Sequence, residues 1–334
     1  MWNKIKENGI VLAVIVLSVA AVILFQLFGV KSYSRYSTDS LHYEQGKVVE
    51  VSCENLEYDE ELGLYLGNQT LKVEITGGEQ KGEIIEVSNY LTKTHNVYAQ
   101  NGMKLIINAD TPENVQPYYT VYNYDRNIPI LSCCIILAAA IICIGRGKGV
   151  KAILGLGYSM FIIIYLVIPA VFSGYSPIWM SILCAVLSTA VTLLLLNGQS
   201  KKTYAAIIAT TIGVLFALLL FMLMSWMLHL NGFSSSEAES LILIHESTGL
   251  KIKDLLFAGV LISSLGAIMD VGMSIVSSLY EVQHHNPSIT TRQLFRSGIE
   301  IGKDMIGTMT NTLILAFTGS AFITLLVFIS YQVQ

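Results

Sequence analysis

Asp270 is a carboxylate inside a run that is otherwise apolar or small, Leu255 to Leu279, in the context GAIMDVGMSIVSSLYEV. An unpaired carboxylate at membrane depth is costly, so such a residue is a functional candidate from the outset. Ser263, Gly266, Asp270, Ser274, Ser277 and Glu281 recur at three- or four-residue steps and line one helical stripe. The next apolar run carries a matching set, Asp304, Thr308, Asn311, Leu315 and Thr318, within GKDMIGTMTNTLIL. The chemistry these types support is proton or cation exchange. Asp270 would be the exchanging group, and Asn311, Thr308, Ser274 and Ser277 would complete a hydrogen-bonded path. Asp304 and Glu281, at the inner boundary, are secondary candidates.

The two runs are expected to be antiparallel neighbours. At 1.5 Å per residue Asp270 lies roughly 15 Å above the inner end of its helix, level with about Leu315 on the partner. Asn311 then falls about a turn below Asp270, near Ser274 and Ser277. Neither run contains Lys, Arg or His within the span. The expected resting state is therefore a neutral Asp270 hydrogen-bonded to Asn311 or a serine. A competing reading stands beside this one. Small and hydroxyl residues also line helix interfaces simply because they permit close packing. Asp304 also suits a first helical turn, where the helix dipole favours negative charge.

Other chemistries find no support. Gly266-Ala-Ile-Met precedes Asp270, which is not the Gly-x-Gly of intramembrane aspartyl proteases. His284-His285 has no carboxylate or cysteine at metal-ligand spacing, and no metal site or cofactor is expected. No nucleophile elbow, phosphate loop or dinucleotide fingerprint occurs, and no enzyme activity is predicted.

The elements that must position this stripe follow from composition. The chain has 334 residues, 13% of them charged, and a mean hydropathy of +0.59. That is too apolar for an ordinary soluble domain. Residues 31–127 hold 8 Lys/Arg and 15 Asp/Glu, a net of −7, and the rest holds 12 and 9, a net of +3. Nothing resembles the basic stripe that nucleic-acid binding requires. Of the five cysteines only Cys53 lies in the hydrophilic part, so no disulfide framework is expected.

Seven runs are long enough to span a bilayer: 10–30, 128–144, 152–172, 177–196, 203–229, 255–280 and 305–331. The first, after Lys4 and Lys6, is too long for a signal-peptide core and reads as an uncleaved anchor. Ten of the twelve basic residues outside 31–127 fall in the N-terminal tail and the segments 145–151, 197–202 and 281–304. These alternate correctly for one side, so the N-terminus is expected in the cytoplasm and residues 31–127 outside.

Within 45–124, five short segments rich in β-branched and aromatic residues are separated by turn signals such as Gly77-Gly78 and Asn101-Gly102. They suggest a small barrel of the oligonucleotide-binding kind, without implying nucleic acid. Ser236-x-x-Glu239 predicts a short outer helix ending near Gly249. Asn286-Pro287 predicts the start of an inner interfacial helix with Leu294, Phe295 and Ile299 toward the membrane.

The stretch from Leu255 to Phe322 closely resembles the YibE/YibF-like family of bacterial membrane proteins. The matching residues are Gly266-Ala-Ile-Met-Asp270, Met273-Ser-Ile, Asn286-Pro, Leu294-Phe-x-Ser297-Gly, Ile301-Gly-Lys-Asp304 and Gly307-Thr-Met-x-Asn311-Thr-Leu-Ile-Leu. The layout is also similar: an anchor, an outer β-rich domain, then a membrane bundle. The resemblance implies a bacterial cytoplasmic membrane location but no assigned reaction. Members of the family usually continue into a further apolar segment, whereas this chain ends at Tyr331-Gln-Val-Gln334. The order of glycine, aspartate, helix-end glutamate, amphipathic helix and Thr-rich span also looks like resistance-nodulation-division transporters and the export subunits SecD and SecF. There the equivalent aspartate takes part in proton relay, so this likeness is an analogy for Asp270.

The expected architecture is a polytopic α-helical membrane protein of about seven transmembrane helices with a small extracytoplasmic β-rich, OB-like domain. Its divisions are an anchor at 1–30, the β domain at 31–127 and a six-helix bundle at 128–334. The expected function is a transporter or export-assisting protein with a proton- or cation-coupled site at Asp270. The alternative is a non-transporting scaffold or sensor whose β domain recruits a partner. Expected partners are the lipid bilayer, a cargo or protein met through residues 31–127, and further copies or subunits in an oligomer.

Overall fold

A computed structural model of the chain describes residues 2–30, 41–78, 80–112, 115–230, 242, 245 and 251–332. The expected outer helix from Ser236 to Gly249 lies outside these residues, apart from the two isolated positions. The chain divides into two compact units, Ser34–Ala140 and Met1–Tyr33 with Ile141–Gln334.

In the first unit, alternating residues build five strands: β1 (Leu41–Asp59), β2 (Leu64–Ile75), β3 (Ile84–Leu91), β4 (Lys104–Asp110) and β5 (Tyr118–Tyr124). All five expected segments are strands. They close a barrel in the order β1-β2-β3-β5-β4, with β4 returning to β1. Neighbours are antiparallel except β3 and β5, which are parallel and registered at Ser88↔Thr120. Period two decides what is buried: Leu71, Val73 and Ile75 point inward, while Lys72 and Glu74 between them stay in solvent. Val48, Val87, Leu105, Ile107 and Val121 complete the core. β1 begins earlier than its sequence pattern suggests, because Leu41–Lys47 pairs with β4.

The second unit is helical. α1 spans Trp2–Phe28 and α2 Asn127–Ile162; α2 begins in the first unit and passes into the second. A π-turn, Ile163–Val167, leads to the short α3, Ile168–Phe172. Pro169 has no N–H to offer the regular ladder there, a common setting for such a turn. α4 (Pro177–Asn197) opens with Pro at its first position and ends at Gly198, whose φ of 70° suits only glycine well. α5 (Lys201–Met227) is capped by Ser200, whose side chain accepts from the Thr203 N–H. α6 is Ile252–His285, α7 Thr291–Ser320 and α8 Phe322–Gln332.

Among the described residues four helices are long and apolar enough to cross a membrane: Asn127–Phe172, Pro177–Asn197, Lys201–Met227 and Ile252–His285. α7 and α8 pass the same test as a pair bent by 63° and would make a fifth. The expected count of about seven is not confirmed among the described residues. The runs 128–144 and 152–172 fall in one stretch of 46 helical residues, and the apolar part of α1 is the shorter Leu12–Phe28. The long stretch is nevertheless broken at Arg146, with φ 46° and ψ −128°. A Cβ on Gly149 would meet the Ile141 carbonyl oxygen at 2.3 Å. Eight residues of unbroken helix would rise about 12 Å. The chain therefore turns back on itself between these residues.

The inner amphipathic segment also differs from expectation. The helix starts not at Asn286-Pro287 but at Thr291, behind a reciprocal cap between Thr290 and Gln293. It then runs without a break to Ser320, so interfacial and spanning segments are one helix. Asp304 consequently sits in mid-helix, not in a first turn.

Candidate functional site

α6 has two opposite faces. Leu261, Leu265, Ile268 and Gly272 recur at helical spacing and face α5. Leu261 packs with Val214 and Leu218, a Cβ on Gly213 would meet Ile268 at 2.8 Å, and one on Gly272 would meet the Thr210 hydroxyl at 3.1 Å. Small residues let these backbones approach closely. At 3.6 residues per turn the stripe of Ser263, Gly266, Asp270, Ser274 and Ser277 lies on the far side of α6 from this seam.

That far side is the open one. Ser263, Gly266, Asp270 and Glu281 are exposed, while Ser274 and Ser277 are partly covered. Asp270 makes no hydrogen bond or ion pair among the described residues.

α7 reaches α6 through its N-terminal half. A Cβ on Gly298 would meet Leu279 at 3.1 Å, and one on Gly302 would meet Ile275 at 3.6 Å. Beyond that, Thr308 and Asn311 are exposed, as is Asp304 before them. Thr308 spends its hydroxyl on the carbonyls of Asp304 and Met305 in its own helix. The Ser274 carbonyl accepts from Ser278 one turn on. The structure thus gathers Asp270, Ser274 and Ser277 on one open stripe but forms no hydrogen bond from Asp270 to Asn311, Thr308 or a serine.

One feature beside this stripe escaped the sequence reading. Gly266 and Met269 border a cavity of about 440 Å³ shared with α2 and α4. Its polar wall includes Ser188 and Thr192 of α4, both buried. A signal for it exists: Ser181, Cys184, Ser188 and Thr192 recur at three- or four-residue steps in an otherwise apolar helix.

No curated protein and no solved structure matches the chain. The family model for YibE/F-like proteins matches residues 133–334, which covers the broken helix, α4 to α8 and the whole polar stripe. The chain belongs to the YibE/F-like protein family.

Proposed function

We propose that this protein is a membrane transporter or export-assisting protein in which Asp270 is the proton- or cation-coupled residue. The observation that carries this reading is the position of Asp270. It is a carboxylate in a helix of membrane-spanning length, on the open face of α6, with no hydrogen-bond partner among the described residues. A structural carboxylate would be expected to be paired. Ser274 and Ser277 continue the same face, and Thr308 and Asn311 supply polar groups on the next helix. The N-terminus and the basic segments lie in the cytoplasm, and the acidic barrel lies outside. The barrel, read as an OB-like module, meets the cargo or a partner protein.

Reconstitution tests this. In proteoliposomes carrying an imposed potential and a pH-sensitive dye, the native chain should move protons or alkali cations. Asp270→Asn should abolish that flux while folding and expression persist, since an amide has the shape of the protonated acid but releases no proton. Native flux retained by Asp270→Asn would remove Asp270 from the mechanism.

A second reading draws on the same exposure. An uncovered polar face on α6 and α7 is also what an assembly residue presents to another subunit. In that case the protein is a scaffold or sensor, flux is absent from the native chain too, and Asp270→Asn changes the oligomer instead.

A further inference from the structure

The cavity between α2, α4 and α6 touches the Asp270 stripe only at Ser263 and Gly266 and is not lined by Asp270 itself, and its walls describe a ligand. Leu156 and Ile163 close it from α2 and the π-turn, Ser188 and Thr192 from α4, and Ile262 and Gly266 from α6. At about 440 Å³ it falls within the range of small-molecule sites. No charged side chain lines it. Two further serines in the wall are already satisfied: Ser159 donates to the Gly155 carbonyl and Ser263 to the Val260 carbonyl. Ser188 and Thr192 differ. Their residues are 2% and 8% exposed; among the described residues the Thr192 hydroxyl has no hydrogen-bond partner, and the Ser188 hydroxyl has only the Cys184 thiol beside it. Buried hydroxyls left unpaired are costly, and each can donate as well as accept. They stand one helical turn apart and both border the cavity.

We infer that this cavity binds an uncharged, lipid-soluble molecule with a hydroxyl or carbonyl oxygen, held by Ser188 and Thr192, and an apolar remainder against Leu156, Ile163 and Ile262. A charged ligand would find no counter-charge there and would lose its hydration without return. Water alone satisfies two hydroxyls but leaves most of an apolar cavity with nothing to bond, and buried water needs two to four polar partners. The inference does not depend on proton coupling at Asp270, and its test does not measure flux.

Cys184 supplies the readout, because it is fully buried in the bundle and borders the cavity. The full chain, with Cys53, Cys133, Cys134 and Cys143 replaced by serine, is placed in lipid nanodiscs. The rate of Cys184 alkylation by N-ethylmaleimide is measured with 1-decanol, decane or decanoate at equal membrane loading. Decanol should slow alkylation about tenfold more than decane does, the worth of one or two hydrogen bonds. Decanoate at pH 8 should protect least. The pair Ser188→Ala and Thr192→Val should remove the advantage of decanol over decane while Cys184 still reacts. Equal protection by decane and decanol in the native chain would overturn the inference in favour of a plain apolar void. Protection by decanoate alone would assign a charged ligand. Failure of all three to protect a Cys184 that does react would show that no molecule of this class enters.

Discussion

Asn89 donates to the side-chain oxygen of Gln69 at 2.9 Å, in the middle of a barrel wall where both residues are about 1% exposed. The bond belongs to a small network. Asn89 also donates to the Val97 carbonyl, and Gln69 meets Ala99 at both its N–H and its carbonyl. Two buried amides thus fasten the irregular segment between β3 and β4 to the strands. Replacing Gln69 with Leu strands the Asn89 amide and the Ala99 backbone together. A loss of about 2–3 kcal/mol is expected, read as a lower melting temperature of residues 41–125 expressed alone. That fragment should itself be β-rich and melt cooperatively.

The α5/α6 seam tolerates no added bulk. Gly213→Leu drives a side chain into Ile268, and overpacking of this sort costs about 1–3 kcal/mol. The variant should unfold at lower temperature in detergent, whereas Gly307→Ala, with open space around it, should not.

Asp270 and Asn311 share no bond, so their substitutions should act independently. Stability changes for Asp270→Asn and Asn311→Leu should add in the double variant to within about 0.5 kcal/mol. A clear coupling energy would mean that the two side chains meet in the membrane.

Sidedness is testable by thiol labelling in a cysteine-free background. With the barrel outside and the basic segments inside, an impermeant maleimide added to intact cells should label Glu60→Cys and spare Lys201→Cys. The opposite pattern would reverse the proposed orientation.

The barrel should weaken in alkali. Lys72 donates to the Glu50 carboxylate at 2.8 Å, which holds its proton on above the usual lysine range. Tyr118 donates to the Tyr90 hydroxyl, which likewise pushes its ionisation to higher pH. A group whose folded value is raised adds stability below its unfolded value and loses it as pH climbs through the folded one. The melting temperature of 41–125 should therefore fall above about pH 10. Lys72→Met with Tyr118→Phe should flatten that decline. An undiminished slope would assign it to other groups.

The strands were legible largely through period-two burial, as in Leu71, Val73 and Ile75. The first five residues of β1 were not, since their pairing with β4 joins positions about sixty residues apart. The polar stripe on α6 was legible because helical periodicity is a local property. Whether Asn311 meets Asp270 was not, because that depends on how far α7 follows α6 beyond Gly302. The reversal at Arg146 was legible as the basic, glycine-bearing segment 145–151 between two apolar runs. The hydroxyls of Ser188 and Thr192 were visible as residues, but a cavity between three helices has no sequence of its own.

Among the described residues the barrel is shut between β3 and β5 by the single registered pair Ser88↔Thr120, while the other joints are longer ladders, those of β1 with β2 and β4 with β5 interrupted by bulges. A cylinder fastened this way has a latch. Under thermal agitation or mechanical load it should part first at that seam, and the amides of β5 that face β3 should exchange hydrogen before those facing β4. The side of the barrel bearing Ser88 and Thr120 is thus where its roundness is most easily given up.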